Sequence, residues 1–244
     1  MSLPGSQGDA FPLTRHSLIR SVQSRDAESR RQGLDAIASA YWRPVYKYIR
    51  LRWHLEAEDA RDFTQDFFAR LIEKEFLDSY DPAKARLRTF LRTCIDRLFM
   101  NQLRDAGRQK RGGAVVHVQL DFDEAEQELA AAAQQGSLDD YFDKELVRTL
   151  FARAVEELRT QLAAAGKERY FKIFERHDLA ESDARPSYAE LAAASDLSVS
   201  DVTNYLSYAR REFRRLALEQ LREMTASDEE FRIEARALLG VDVK

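Results

Sequence analysis

Apolar residues recur at intervals of three and four along most of the chain, the period at which a helix returns the same face to its neighbours. Leu87, Phe90, Leu91, Cys94, Leu98 and Leu103 follow it, as do Leu146, Leu150, Ala154, Val155 and Leu158, while Ala60, Phe63, Phe67 and Leu71 make a third stripe. No segment of useful length alternates with period two, so the pattern predicts an all-α protein of two helical domains. Between them, "AVVHVQLDFDEAEQELAAAAQQGSLDD" follows Gly112 and Gly113, lacks a sustained apolar face and gathers like charge, and it reads as an acidic linker. The expected divisions are a flexible N-terminal segment over 1–28, a first domain over 29–111, the linker over 112–140, a second domain over 141–223 and a C-terminal helical extension over 224–244. Pro44, inside "YWRPVYKYIRLRW", should kink a helix or start a new one. There is no internal repeat.

The second domain contains the most regular local signal. Ser187 followed by Glu190 is a capping box, so a helix should begin at Tyr188 and bury Leu191. A turn follows at Ser195 and Asp196. Leu197 supplies an apolar plug, Ser198 with Asp201 repeats the cap, and Val202, Leu206, Ala209 and Phe213 give the next helix its buried stripe. The spacing suits an ordinary helical hairpin or a helix-turn-helix that enters a DNA groove. Ser200, Asp201, Thr203 and Asn204 are small and polar at the end that would meet base edges, and Arg210, Arg211, Arg214 and Arg215 lie further along, where phosphates would be.

Charge changes the picture of the first domain. The 244 residues carry a net charge of -4, which would ordinarily speak against a nucleic-acid partner. The average conceals segregation: residues 84–111 hold nine basic side chains against two acids, and residues 117–145 hold nine acids against one lysine. The acidic stretch is expected to cover the basic one. In "EAEDARDFTQDFFARLIEK", Asp59, Asp62 and Asp66 share one helical face beside the apolar stripe, either a solvated surface or a docking face. Tyr80, Phe90 and Phe99 are interleaved with the arginines that follow, a mixture suited to unstacked bases, although the period of Phe90 puts it in the core.

Other functions have less support. The single Cys94 has no disulfide partner, and the N-terminus lacks a signal-peptide pattern, so the chain is expected to be cytoplasmic. The four histidines are scattered without a metal-binding spacing and there is no glycine-rich phosphate loop, which argues against an enzyme; no metal or cofactor is expected.

The order of an acidic helix, "YDPAKARLRTFL", a basic helix ending in "RQKR", an acidic segment and a C-terminal helix-turn-helix resembles the extracytoplasmic-function group of sigma-70 factors, over Leu34–Arg111 and Leu146–Leu221. "DARDFTQDFFARL" is similar to region 2.2, "YDPAKARLRTFL" to the start of region 2.3, and "SYAELA" with "LSVSDVTNYLSYARREFRRL" to region 4.2. The resemblance implies that Asp59, Asp62, Gln65 and Asp66 bind core RNA polymerase. It implies that Arg92, Arg97, Asn101, Arg104 and Arg108 hold the opened minus-ten element. Ser200, Asp201, Thr203, Asn204, Tyr208, Arg210 and Arg211 would face the minus-thirty-five element, and the linker would thread polymerase channels. The alternative is a helix-turn-helix regulator acting without polymerase, but no heptad offers the dimer seam such proteins use, and the free chain is expected to be a monomer.

Departures from the family pattern also carry information. Arg61 stands where the D-A-E-D run has its second acid, Arg97 where an asparagine is frequent, and Thr203, Tyr205 and Tyr208 where basic residues are frequent. Partners implied beyond polymerase and promoter DNA are an anti-sigma factor or a Ser/Thr kinase. Thr64 lies beside the acidic run as a kinase target, yet helical geometry sets it between Phe67 and Phe68 as a buried equivalent of valine. In the extension, Ser227 and Glu230 make a cap, and Phe231, Ala235, Leu238 and Leu239 an apolar face expected to close the second domain.

Overall fold

The computed structural model describes residues 18–24, 26–73, 76–105, 122–132, 137–181 and 184–243. Among the described residues every regular element is helical, the class the apolar period predicts. The helices are α1 (Leu18–Val22), α2 (Ala27–Trp53), α3 (Ala57–Glu73), α4 (Leu87–Asp105), α5 (Phe122–Ala132), α6 (Leu138–Ala164), α7 (Glu168–Asp178), α8 (Tyr188–Ser195), α9 (Val199–Glu223) and α10 (Asp228–Leu239), with a 3-10 turn at Phe76–Ser79. The chain divides into two compact units, Met1–Ala133 with Arg222–Ile233, and Gln134–Leu221 with Glu234–Lys244.

In the first unit, Asp26 caps α2 by accepting from the Ser29 amide at 2.8 Å. The helix then continues through Pro44 to Trp53, so the proline neither ends it nor begins another. His54, in the left-handed region at φ 51°, reverses the chain into α3. The core joins Ile37, Val45, Tyr46 and Ile49 of α2 to Phe67, Phe68 and Leu71 of α3 and Leu91 and Ile95 of α4. Each such side chain contributes about 1.5 to 3 kcal/mol by leaving water. The segment expected to be flexible contains α1, whose Ile19 and Val22 are buried. The Gln23 amide donates to the carbonyls of Leu77 at 3.1 Å and Tyr80 at 3.3 Å, which fastens this end to the 3-10 turn.

A second difference lies in the extension. Residues 222–233, with Phe231, belong to the first unit, whereas residues 234–244, with Ala235, Leu238 and Leu239, belong to the second as expected. The buried Glu230 accepts from the Tyr80 hydroxyl at 2.9 Å and the Ala226 amide at 2.7 Å, and the Arg222 guanidinium lies over the Phe231 ring at 4.5 Å. The Tyr80 bond joins residues 150 positions apart, a separation no local pattern encodes.

In the second unit Ser137 caps α6, accepting from the Asp140 amide at 3.1 Å. Gly166, at φ +66°, takes the left-handed turn from α6 toward α7 at no cost to a side chain. The core is built from Ala154, Leu158 and Leu162 of α6, Phe171, Ile173 and Phe174 of α7, Leu191 and Ala192 of α8, and Val202, Leu206, Ala209, Leu216 and Ala217 of α9. Both expected caps around α8 form. Ser187 accepts from the Glu190 amide at 3.3 Å while the Glu190 carboxylate accepts from the Ser187 amide at 2.7 Å, and Ser198 and Asp201 repeat the exchange at 3.0 and 3.1 Å. Between them Asp196, at φ 52°, and Leu197, packed on the core, make the turn.

Candidate functional site

Three surfaces gather the residues singled out in the sequence. The first is the acidic face of α3. Asp59 and Asp62 are exposed, Gln65 and Asp66 half-buried. Together with Leu55, Phe63, Phe99 and Gln102, the three aspartates line a cleft of about 350 Å³. Asp66 differs from its neighbours, because its carboxylate accepts from Arg70 at 2.8 and 2.9 Å and from the Gln102 amide of α4 at 2.7 Å. It therefore fastens α3 to α4 as well as carrying charge, which a reading of α3 alone does not predict.

The second surface is α4. Arg97, Asn101 and Arg104 are exposed and recur at spacings of four and three, so they form one stripe. Arg92 is half-buried and lies about 140° round the helix from Arg97 at 100° per residue, so it is not gathered with them. Arg108 lies outside the described residues. The aromatics suggested for unstacked bases are packed inside instead. Tyr80 is buried against Phe90, their centroids 5.2 Å apart, and Phe99 stacks on Trp53 at 3.8 Å with Phe63 edge-on at 5.6 Å. Burial pushes the Cys94 thiol up to about 11, so this cysteine is a packing residue.

The acidic segment departs most from expectation. Its described residues are helix α5, which packs on α2 instead of lying as an open linker, and residues 137–140, which already cap and begin α6. Phe122, Ala125 and Leu129, at spacings of three and four, are buried. The carboxylates pair with bases of α2 and α3, not with the basic stripe of α4: Asp123 with Arg61 at 2.5 Å, Glu124 with Arg43, Glu128 with Lys47, and Glu126 with Arg50 at 2.7 and 2.8 Å. Arg61 is thus explained, since its guanidinium also lies 5.6 Å over the Phe122 ring.

The Arg50 bonds hold the Glu126 carboxyl below its ordinary value near 4.5, against the cost of its partial burial. Burial, followed by the bond to Glu126, pushes the Tyr46 hydroxyl up to about 12. Because Glu126 is depressed in the folded chain, its stabilisation of the docked helix is complete above the ordinary glutamate value and disappears as pH falls through the lower, folded one. The charged groups around it, Arg50, Arg61 and Lys47 with Asp123 and Glu128, do not change that sign. Protection of the α5 amides from hydrogen exchange is expected to be unchanged from pH 7 to about 5 and to fall below that; constant protection to pH 3 would mean the carboxylates do not hold the helix.

On the third surface, Ser200, Thr203, Asn204, Ser207 and Arg211 are exposed along one side of α9, a stripe in which Ser207 is an addition to the sequence reading. The other candidates there are held by the unit itself. Asp201 is the cap described above. Tyr208 accepts from the Lys167 ammonium at 3.1 Å and lies under Arg211, whose guanidinium is 5.0 Å from its ring. Arg210 donates to Asp178 twice at 2.7 Å and to the Tyr188 hydroxyl at 3.1 Å. Burial alone would push the Asp178 carboxyl up, but the Arg210 and His177 bonds outweigh it and hold it below the usual range. Arg210→Ala is accordingly expected to destabilise the second unit by about 2 kcal/mol, whereas the exposed Arg211→Ala changes stability by about half a kcal/mol or less. Thermal melting separates them, and equal melting temperatures would place Arg210 among the surface charges.

Residues 37–109, from within α2 to just past α4, match the family model of sigma-70 region 2. They form a sigma-70 region 2 domain. The match supports a role for the chain as a sigma factor in RNA polymerase binding and promoter melting. No curated protein and no solved structure matches the chain. Helix α5 and the whole second unit lie beyond the matched region. No helix among the described residues is long and apolar enough to cross a membrane.

Proposed function

We propose that the protein is a sigma factor of the extracytoplasmic-function type that binds core polymerase through α3, holds the opened minus-ten element on α4 and reads the minus-thirty-five element with α9. The observation that carries the reading is the sigma-70 region 2 match, with Asp59 and Asp62 exposed on the face where polymerase would dock. The α4 stripe of Arg97, Asn101 and Arg104 supports a strand-binding role on the same domain, because a held strand offsets the few kcal/mol of unstacking. The capped turn before α9 and the exposed polar stripe that follows support a helix-turn-helix whose first turns face base edges. Such a factor acts in the cytoplasm, where polymerase and promoters are.

Transcription in vitro with added core polymerase tests the reading. Promoter-dependent initiation that needs the protein is expected, whereas tight sequence-specific DNA binding with no effect on initiation would indicate a regulator acting alone. Within α9, Asn204→Ala is expected to change which minus-thirty-five sequences are used, since each good base contact discriminates by about 1 to 3 kcal/mol. Arg211→Ala should weaken all promoters alike and reduce the salt slope by about one. A promoter library scored for both variants checks this, and the same sequence-independent loss from each would remove α9 from the groove.

A further inference from the structure

The surface of α2 that α5 covers has its own ligand chemistry. Arg43, Lys47 and Arg50 recur at i, i+4 and i+7, so their cations lie on one face over about 10 Å, the length of roughly three stacked nucleotides. Arg61 of α3 adds a fourth cation, paired with Asp123. Among these cations stand the rings of Trp42 and Tyr46, which meet Phe122 edge-on with centroids 5.5 and 4.9 Å away. A row of cations with aromatic rings set among them is the arrangement that holds single-stranded nucleic acid through phosphates and stacked bases.

What occupies this surface in the folded chain has the matching pattern. Four carboxylates, Asp123, Glu124, Glu126 and Glu128, neutralise the four cations, and one aromatic ring, Phe122, lies where a base would, with the Arg61 guanidinium over it. A buried lysine such as Lys47, inaccessible to solvent and paired with Glu128, is expensive to leave without an anion. In the folded chain this face is matched along its length by a negatively charged occupant. We propose that α5 is an intramolecular stand-in for single-stranded DNA on the face of α2 formed by Trp42, Arg43, Tyr46, Lys47, Arg50 and Arg61, and that a displaced promoter strand takes its place. The surface is separate from the α4 stripe, and the proposal goes beyond the holoenzyme reading, because strand binding is measured without polymerase.

Tethering gives α5 an effective concentration of the order of millimolar, so the wild-type chain binds a separate strand weakly. The test uses Asp123→Asn, Glu124→Gln, Glu126→Gln and Glu128→Gln together, with a labelled oligothymidylate of about twelve nucleotides as probe in fluorescence anisotropy. The expected gain over wild type is at least about tenfold at low salt. Adding Arg43→Gln and Arg50→Gln should abolish that gain and lower the log–log salt slope by about 1.4, the single-strand value for two phosphate contacts. A control neutralising Glu156, Glu168, Glu181 and Glu219 of the second unit makes the same change in net charge. A gain equal to this control, a gain that survives Arg43→Gln and Arg50→Gln, or equal gain for a duplex of the same length would each overturn the proposal. Should the fourfold variant not fold, the otherwise wild-type chain carrying Trp53→Phe leaves Trp42 as the sole tryptophan. Saturable quenching by the oligothymidylate that disappears with Arg43→Gln and Arg50→Gln supports the proposal, and unchanged emission at saturating probe overturns it.

Discussion

Replacing Asp62 with arginine is expected to abolish capture of core polymerase while leaving the melting of the protein unchanged. Asp62 is exposed on α3 and points away from the stripe of Phe63, Phe67 and Leu71, so the substitution removes nothing from the core. Exposed substitutions of this kind change stability by about half a kcal/mol. On the sigma-factor reading the same carboxylate meets basic residues of the polymerase across a partly desolvated interface, where reversing a charge turns attraction into repulsion. The cost is several kcal/mol, which is a factor of hundreds or more in affinity. Asp66→Arg is a poorer probe, because it also breaks the bond to Gln102 and sets a new cation beside Arg70. Loss of binding there would be accompanied by a lower melting temperature. The measurement is a pull-down with core polymerase, paired with circular dichroism and melting of each variant. Retained binding by a folded Asp62→Arg protein would make the acidic face a solvated surface and remove the mechanism by which region 2 docks.

What was legible in the sequence is what is local. The stripes of α3, α4, α6 and α9 follow from the period of their own apolar residues, save that Leu103 near the end of α4 is exposed, and the two caps around α8 need only residues three apart. The candidates that took other roles were committed by partners far along the chain. Arg210 is paired with Asp178, 32 positions earlier, and Asp66 with Gln102, 36 positions later. The docking of α5 joins residues 62 to 81 positions apart, and its apolar signal is three side chains among four paired carboxylates. Phe122, Ala125 and Leu129 did carry the helical spacing, but charge dominates that stretch, and a polar helix looks like a linker until its cationic partners are known. Arg61 shows the same dependence. Read against the D-A-E-D run it is a lost acid, and read with Asp123 and Phe122 it is one side of a contact.

Thr64 separates a buried packing residue from a modification site most sharply. It is inaccessible to solvent, on the face of α3 that also buries Ala60, Phe63, Phe67 and Phe68, and its hydroxyl donates to the Ala60 carbonyl at 2.7 Å. That carbonyl already accepts the helical bond from the Thr64 amide, so removing the hydroxyl leaves no acceptor stranded. Thr64→Val is therefore expected to stay within about 1 kcal/mol of wild type, the net worth of a hydrogen bond. Thr64→Glu places an unpaired charge and extra volume among phenylalanines. Overpacking alone costs about 1 to 3 kcal/mol, and a buried carboxylate without a partner adds several more unless it stays protonated. The expected result is a first unit that melts far below wild type or does not fold, with polymerase capture lost in consequence. A phosphate, with a charge near -2, would be worse accommodated still, so a kinase could reach this hydroxyl only with the helix opened. Melting and polymerase pull-down of the two variants decide the matter. A Thr64→Glu protein that melts like wild type and captures polymerase more tightly would show that α3 presents this residue to solvent, whereas normal capture by Thr64→Val with an unfolded Thr64→Glu assigns it to the core.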